Sequence, residues 1–218
     1  MIKTNMRTLP ILMLLAFSGV ASAAGFQAIE QNASGLGTAY AGSAAIADNA
    51  ATVFANPAGM TRLPGFNFST GVVAVAERHE FENAAGVASG GDAGNTNVLP
   101  NAYLTWQAIP GLSFGLGISR PFLNDIEYKT GWVGALEGIK SEITTLNLNP
   151  AVAYKVNDKV SLGLGLNYQQ LDMHMTATGA AFKGDDSALG WNAGALFTLS
   201  PAMRVGVAYR SKIDHDLS

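Results

Sequence analysis

The chain has 218 residues, of which 48% are hydrophobic and 13% are charged, and it contains 25 glycines and no cysteine. Without cysteine, neither a disulfide framework nor a thiolate metal site can form. The formal net charge of -3 and the lack of a basic cluster argue against nucleic-acid binding. No apolar run reaches the roughly 20 residues of a spanning helix, although apolar residues are abundant.

The first residues match a secretory signal peptide. Lys3 and Arg7 give a positive start, residues 11–17 form a short apolar core, and Ala21-Ser22-Ala23 has the small residues of a cleavage site. A retained membrane anchor is the alternative, but the apolar stretch is too short for a spanning helix. We therefore expect residues 1–23 to be removed, with cleavage after Ala23.

The next segment, residues 24–63, is rich in small and polar residues. Short helical turns are possible over residues 44–54, but no face of them is apolar enough to build a core alone. We expect this segment to pack inside a larger structure.

After Pro64 the sequence alternates with a period of two, which is typical of strands with two different faces. One face is apolar, and the other is rich in Gly, Ser and Asn rather than Lys and Glu. A soluble β-sandwich would also alternate, but its polar face would meet open water. The pattern favours an all-β, transmembrane antiparallel barrel. Seven strands are predicted, around residues 66–74, 102–108, 113–119, 146–156, 160–169, 189–199 and 203–210.

The predicted connections alternate in length. Tight turns are predicted at Pro110-Gly111, Asn157-Asp158-Lys159 and Pro201-Ala202, and long links over residues 77–97, 122–142 and 174–186. Outer-membrane barrels have short periplasmic turns and longer loops outside. Four aromatic residues predicted near strand ends fit an interfacial girdle: Tyr154, Tyr168, Trp191 and Tyr209.

Motifs from Ala24 to the end of the chain occur in an order that resembles the FadL family of outer-membrane fatty acid and hydrocarbon transporters. They include Ala24-Gly25-Phe26-Gln27, Ser34-Gly35-Leu36-Gly37, Asn56-Pro57-Ala58, Thr145-Leu146-Asn147-Leu148, Gly190-Trp191-Asn192-Ala193-Gly194 and Tyr209-Arg210-Ser211. The resemblance implies a fourteen-stranded barrel plugged by its N-terminal segment. Residues 24–63 would then form this hatch, and residues 64–218 a partial transmembrane barrel of about seven strands.

The resemblance also implies where a ligand binds and how it leaves. In the family the N-terminus helps to line a hydrophobic pocket, which points to Phe26 as a ligand-binding residue, together with Phe122. The family's Asn-Pro-Ala run lies beside a kink in the third strand, and this kink opens a lateral gap in the wall. We expect Asn56, Pro57 and Ala58 to latch the hatch to the wall, with the Asn56 side chain satisfying backbone groups that the kink leaves unpaired. Asn-Pro is also a common turn starter.

Pro121 follows the regular alternation of the third strand and could produce the kink. Proline has no N–H to donate and therefore interrupts a strand ladder. Whether Pro121 kinks the strand or simply ends it stays open from the residues alone. The resemblance favours a lateral gate formed by Arg120, Pro121, Phe122 and Leu123.

Two features depart from the family. The link over residues 174–186 is much shorter than in fatty acid members, where this loop helps to form an outer capture groove. The sequence also stops after about seven strands, and unpaired edges in hydrocarbon cost several kcal/mol per backbone group. We expect a fragment of a larger barrel that forms no heat-resistant barrel alone, with a two-chain barrel as the alternative.

Residues that could carry other chemistry are scattered. His79, His174 and His215 have no metal-ligand spacing, and the acidic residues of 77–82 with Arg78 fit a solvated loop cluster. Asp185-Asp186 is predicted to lie in a loop, where such a pair could bind Ca²⁺ weakly. No catalytic residue, metal site or cofactor is predicted.

These features favour passive outer-membrane transport of long-chain fatty acids or other hydrophobic compounds. The expected partners are these compounds, outer-membrane lipids and the barrel assembly machinery, with no nucleic acid, and the full-length protein is expected to be a monomer. A non-transporting surface protein such as an adhesin, an outer-membrane enzyme and a non-functional fragment are the alternatives. The ligand itself is not specified by the sequence.

Overall fold

The computed structural model describes residues 28–82 and 89–217, which form an antiparallel sheet with a short helical segment packed on its inner face. The predicted signal peptide, residues 1–23, and the predicted ligand-binding Phe26 lie outside the described residues.

The sheet is an antiparallel half-barrel of seven strands, one of which is broken into two pieces. Both pieces, β3 and β4, pair with β5, so the eight elements occupy seven positions in the wall. The all-β prediction is confirmed. The strands are β1 Phe66–Ala76, β2 Thr96–Ile109, β3 Leu112–Ser119, β4 Leu123–Glu127, β5 Lys140–Lys155, β6 Val160–Ala177, β7 Ala180–Ser200 and β8 Met203–Arg210.

The two faces of the wall have inverted polarity compared with a soluble protein. Along β6, Leu164 and Leu166 are 60% and 62% exposed on the outer face, whereas Asn167 and Gln169 are buried on the inner face. An apolar face of this kind is stable against lipid and not against water. The predicted assignment of residues to the two faces is confirmed, and all four predicted girdle residues face outward.

The connections differ in part from the prediction. The three tight turns are confirmed. The link predicted over residues 77–97 ends earlier, because β2 starts at Thr96, and β4 lies inside the link predicted over residues 122–142. The link predicted over residues 174–186 is wrong, because β6 and β7 are joined directly by Thr178-Gly179. Because these strands are longer than predicted, Tyr168 and Trp191 lie far from the strand ends, unlike Tyr154 and Tyr209.

The helical segment, residues 28–63, is called the hatch below. It contains two 3-10 helices, Ala33–Thr38 and Pro57–Arg62, and two α-helices, Ser43–Ile46 and Thr52–Ala55. Among the described residues, no helix is long and apolar enough to cross a membrane.

The hatch is held on the inner face of the wall by a small apolar core. Val53 and Met60 of the hatch are fully buried and cluster with Tyr103 of β2 and with Ala151 and Ala153 of β5. The core is small because the inner face offers few large apolar side chains. Polar contacts therefore carry much of the docking, and these define the site described next.

Candidate functional site

The third wall strand contains one extra residue where β3 ends and β4 begins. Ser119 pairs with Asn147 and Leu123 pairs with Thr144, so the strand advances four residues while β5 advances three. This mismatch is a β-bulge, in which the surplus residue disrupts the ladder and bends the strand. Pro121 therefore interrupts the strand and does not end it, because pairing with β5 resumes at Leu123.

The bulge leaves an unpaired stretch between β2 and β4, the part of the third strand that follows the bulge. Residues 102–109 of β2 pair with β3, but residues 96–101 pair with β1 alone, and β4 pairs only with β5. An isolated bridge between Gly94 and Ile126 crosses this unpaired stretch near the C-terminal end of β4. The part of the wall described thus contains an opening between β2 and β4.

A cavity of about 360 Å³ lies at this opening. Asn97 and Leu99 of β2 line one side, and Leu123, Asn124 and Ile126 line the other. The hatch contributes Ala28 and Glu30. The cavity thus connects the two edges of the opening with the hatch.

Two hatch residues donate hydrogen bonds to backbone carbonyls of the segment between β3 and β4, called the break below. The Ala28 N–H donates to the Pro121 carbonyl at 2.8 Å, and the Gln31 side-chain amide donates to the Arg120 carbonyl at 3.1 Å. On the wall side, Thr145 Oγ1 accepts from the Phe122 N–H at 2.9 Å. All four residues of the predicted gate lie at the break, and the sequence interpretation missed Gln31 and Thr145.

Asp92 fixes the loop backbone beside the Gly94 bridge at the end of the opening. Its carboxylate accepts hydrogen bonds from the N–H groups of Gly94 at 2.9 Å and His79 at 3.0 Å. These two bonds hold the pKa of the Asp92 carboxyl below its usual value. Asp92 therefore ties the loop after β1 to the segment that carries the Gly94 bridge.

Asn56 is completely buried and connects the hatch to the other side of the wall. Its amide nitrogen donates to the Ala44 carbonyl of the hatch at 2.7 Å and to the Ala195 carbonyl of β7 at 3.1 Å. Its amide oxygen accepts from the Ala58 N–H at 3.0 Å. The Asn56 side chain therefore does not bond the backbone at the third-strand break, as expected from the sequence; its wall contacts are the Ala195 carbonyl of β7 and, at 3.4 Å, the Val207 carbonyl of β8.

Glycines on the inner face allow the hatch backbone to lie directly on the wall. A Cβ at Gly163 would clash with the backbone of Pro57 and Ala58, and one at Gly194 would clash with the Asn56 amide. Pro57 and Ala58 are both fully buried by this contact. The Asn-Pro-Ala run is thus seated on two glycines of β6 and β7.

Within the described ranges, no group of three or more His, Asp or Glu residues is placed to hold a metal ion. The expected solvated cluster is present, since Arg78 pairs with Glu80 and both side chains are exposed. Asp185 and Asp186 lie in β7 and not in the predicted loop, because the strand begins at Ala180. Asp186 instead bonds His215 Nδ1 at 3.0 Å.

The sequence and the structure of this chain are both similar to those of outer-membrane transport proteins. A family model described as "Outer membrane protein transport protein (OMPP1/FadL/TodX)" matches residues 14–218. The chain is 33% identical to outer membrane protein P1 of Haemophilus influenzae over 99% of its own length and 59% of that protein. It is 31% identical to an Escherichia coli long-chain fatty acid transport protein over 88% of its length and 52% of that protein.

Solved structures agree with the sequence comparison at the level of the fold. A Pseudomonas aeruginosa FadL homologue aligns with a TM-score of 0.72 at 22% identity, covering 87% of this chain and 53% of that one. The Ralstonia pickettii toluene transporter TbuX aligns with a TM-score of 0.65 at 17% identity, covering 78% of this chain and 54% of that one.

The chain spans a little over half the length of the curated relatives that it matches. The family resemblance seen in the sequence is confirmed by the family match over residues 14–218. The chain belongs to the OMPP1/FadL/TodX family of outer-membrane transport proteins.

Proposed function

We propose that the protein carries hydrophobic compounds across the outer membrane by passive diffusion and releases them sideways between β2 and β4. Relatives named for long-chain fatty acid transport and for toluene transport support a hydrophobic cargo. Phe26 and Phe122 are proposed to contact the ligand on this route. Insertion by the barrel assembly machinery and a monomeric full-length protein are part of the same proposal.

The unpaired stretch between β2 and β4 is the observation that carries this proposal. An unpaired backbone group in hydrocarbon costs several kcal/mol, so a wall normally closes by pairing neighbouring strands. At the break the carbonyls of Arg120 and Pro121 bond instead to the hatch, a separate segment of the chain. A shift of the hatch would therefore free the opening without breaking any strand pairing.

Hatch movement also gives a physical account of ligand release. Apolar burial contributes about 0.8 kcal/mol per CH₂ group, so a long alkyl chain held in a closed pocket leaves slowly. One side of the cavity at the opening is lined by the hatch residues Ala28 and Glu30. Moving the hatch away exposes the ligand to the lipid side and removes part of the contact that retains it.

Replacing Asn56 with alanine should slow uptake severalfold. The change removes the donor to the Ala195 carbonyl and leaves buried partners unpaired, which costs about 1–3 kcal/mol per group. The hatch would then no longer be held in one fixed position against the wall. The measurement is the initial rate of uptake of a labelled long-chain fatty acid into liposomes that contain the full-length protein.

Asn67→Ala is the matched control for this experiment. Asn67 also faces inward, but its amide bonds only the nearby Pro64 carbonyl at 3.0 Å. Its removal should leave uptake unchanged. Equal uptake by the Asn56→Ala variant and the unmodified protein would remove the latch role. Lack of uptake by the unmodified protein would favour a non-transporting surface protein instead.

A further inference from the structure

The cavity at the opening between β2 and β4 combines apolar side chains with two acidic residues. Leu99, Leu123 and Ile126 line it with alkyl groups. Glu30 of the hatch and Glu77, the residue that follows β1, also line it. Two carboxylate residues therefore border the route by which a ligand would leave.

The alternation of β1 places Glu77 on this route. Val73 is buried on the inner face of the wall, and Val75 lines the cavity. Every second side chain of a strand faces the same side, so Glu77 is the next inward residue. The side-chain amide of Asn97 in β2, which is buried, donates to the Glu77 carboxylate at 3.3 Å. This bond directs the Glu77 carboxylate towards the opening.

The two acidic residues are not balanced by a permanent positive charge. Among the described residues, no Lys or Arg lines the cavity. Glu77 Oε2 lies 3.7 Å from Nε2 of His79, which is charged only when protonated. Arg78 pairs instead with Glu80 at 2.5 Å, and no described cationic group lies within 4.0 Å of Glu30. The lining of the opening is therefore net negative.

A negative lining of this kind selects among ligands by their charge. A cleft with low-dielectric walls concentrates the field of its charged groups. For the same reason, rings of Asp and Glu in channel pores admit cations and exclude anions. A ligand that passes Glu30 and Glu77 as an anion is repelled. A hydroxyl group or a protonated acid can instead donate a hydrogen bond to either carboxylate.

We propose that the opening between β2 and β4 is charge-selective and releases neutral ligands in preference to anions. Glu30 and Glu77 are the residues that determine this specificity. The inference rests on the proposed function, because it concerns the lateral route. A fatty acid leaves as the neutral acid, after its carboxylate takes up a proton from water, and this is also the form that hydrocarbon accepts at lower cost. Alcohols and aromatic hydrocarbons need no such step.

The test uses three probes that share one alkyl chain and differ in charge. Dodecanol is neutral, dodecanesulfonate is a fixed anion and dodecyltrimethylammonium is a fixed cation. Entry of each probe, below its micellar concentration, is measured into vesicles that contain the full-length protein and have lipopolysaccharide in the outer leaflet, with entry into protein-free vesicles subtracted. With the unmodified protein, dodecanesulfonate should enter at least about tenfold more slowly than either other probe, because like charges in the opening repel it.

Combining Glu30→Gln with Glu77→Gln should raise the ratio of dodecanesulfonate entry to dodecanol entry severalfold. Glutamine retains the size of the side chain and removes its charge. The matched control combines Glu82→Gln with Glu137→Gln, which removes the same number of charges from exposed residues that do not line the cavity. The control should leave the ratio unchanged, because the effect depends on charge at the opening and not on net charge.

The ratio separates charge selection from a change in the hatch. A displaced hatch would alter the entry of all three probes together, so an unchanged ratio in the Glu30→Gln, Glu77→Gln variant would overturn the proposal. If this variant does not insert, each single substitution should raise the ratio by a smaller factor, and a rise in neither would overturn the proposal as well. Equal entry of all probes through the unmodified protein would do so while leaving transport intact. Dodecanol entry no faster than in protein-free vesicles would instead contradict the proposed function.

Discussion

Alanine at Gly163 should force the hatch away from the wall. The added Cβ would overlap the backbone of Pro57 and Ala58, which cannot move aside as the end of a flexible side chain could. Overpacking of this kind costs about 1–3 kcal/mol, and separating the surfaces would also strain the bonds of Asn56. The expected result is a lower urea midpoint and faster protease cleavage within the hatch, with the strands still protected.

Gly71→Ala is the control for this variant. Gly71 also faces inward, from β1, but a Cβ there would lie no nearer than 3.4 Å to any atom, and the nearest is the side-chain oxygen of Asn101. This substitution should leave both measurements nearly unchanged. If Gly163→Ala behaved like Gly71→Ala, the close seating of the Asn-Pro-Ala run on β6 would not stabilise the hatch.

The two faces of the wall could be predicted because they depend on a local pattern. Lipid contacts every second side chain, so Leu162, Leu164 and Leu166 alternate with Ser161 and Gly163 wherever a strand crosses the apolar layer. The same reason explains the failure over residues 174–186. Outside the layer both faces meet water, so charged residues such as Lys183 and Asp185 can occupy a strand and resemble a loop.

The bulge could be predicted only in part. Pro121 indicates that the ladder is disturbed, because proline lacks the N–H of a regular strand residue. The extra residue is defined by the pairing of Ser119 with Asn147 and of Leu123 with Thr144. Such a register is a property of two strands together, and no pattern within one strand reports it.

The contacts of the hatch were least accessible to sequence reasoning. Asn56 was found from its motif, but its partner on β7, the Ala195 carbonyl, lies 139 residues along the chain. Gln31 bonds the Arg120 carbonyl across 89 residues. Backbone carbonyls exist at every residue, so the identity of the acceptor leaves no trace in the sequence. Docking sites of this type can therefore be identified only once the three-dimensional arrangement of the wall is known.

Deletion of Pro121 should close the wall and reduce uptake almost to that of protein-free liposomes. Without the surplus residue, the strand would advance three residues from Ser119 to Leu123 and match the three residues of β5 from Asn147 to Thr144. Ser119 and Asn124 would both still face inward, so no side chain would be moved to the wrong face. The regular strand could then continue the β2–β3 ladder upward past its present end at Ala102 and Ile118.

Pro121→Ala separates the effect of the extra residue from that of proline itself. This variant restores an N–H but keeps the residue count, so the bulge and the opening should persist and uptake should stay close to that of the unmodified protein. Pro201→Ala controls for the loss of a proline elsewhere, because Pro201 lies in the tight turn between β7 and β8, away from the opening. The lateral route requires the deletion alone to block uptake, since only the deletion restores the register. Normal uptake by the deletion variant would mean that ligands leave the barrel by another path.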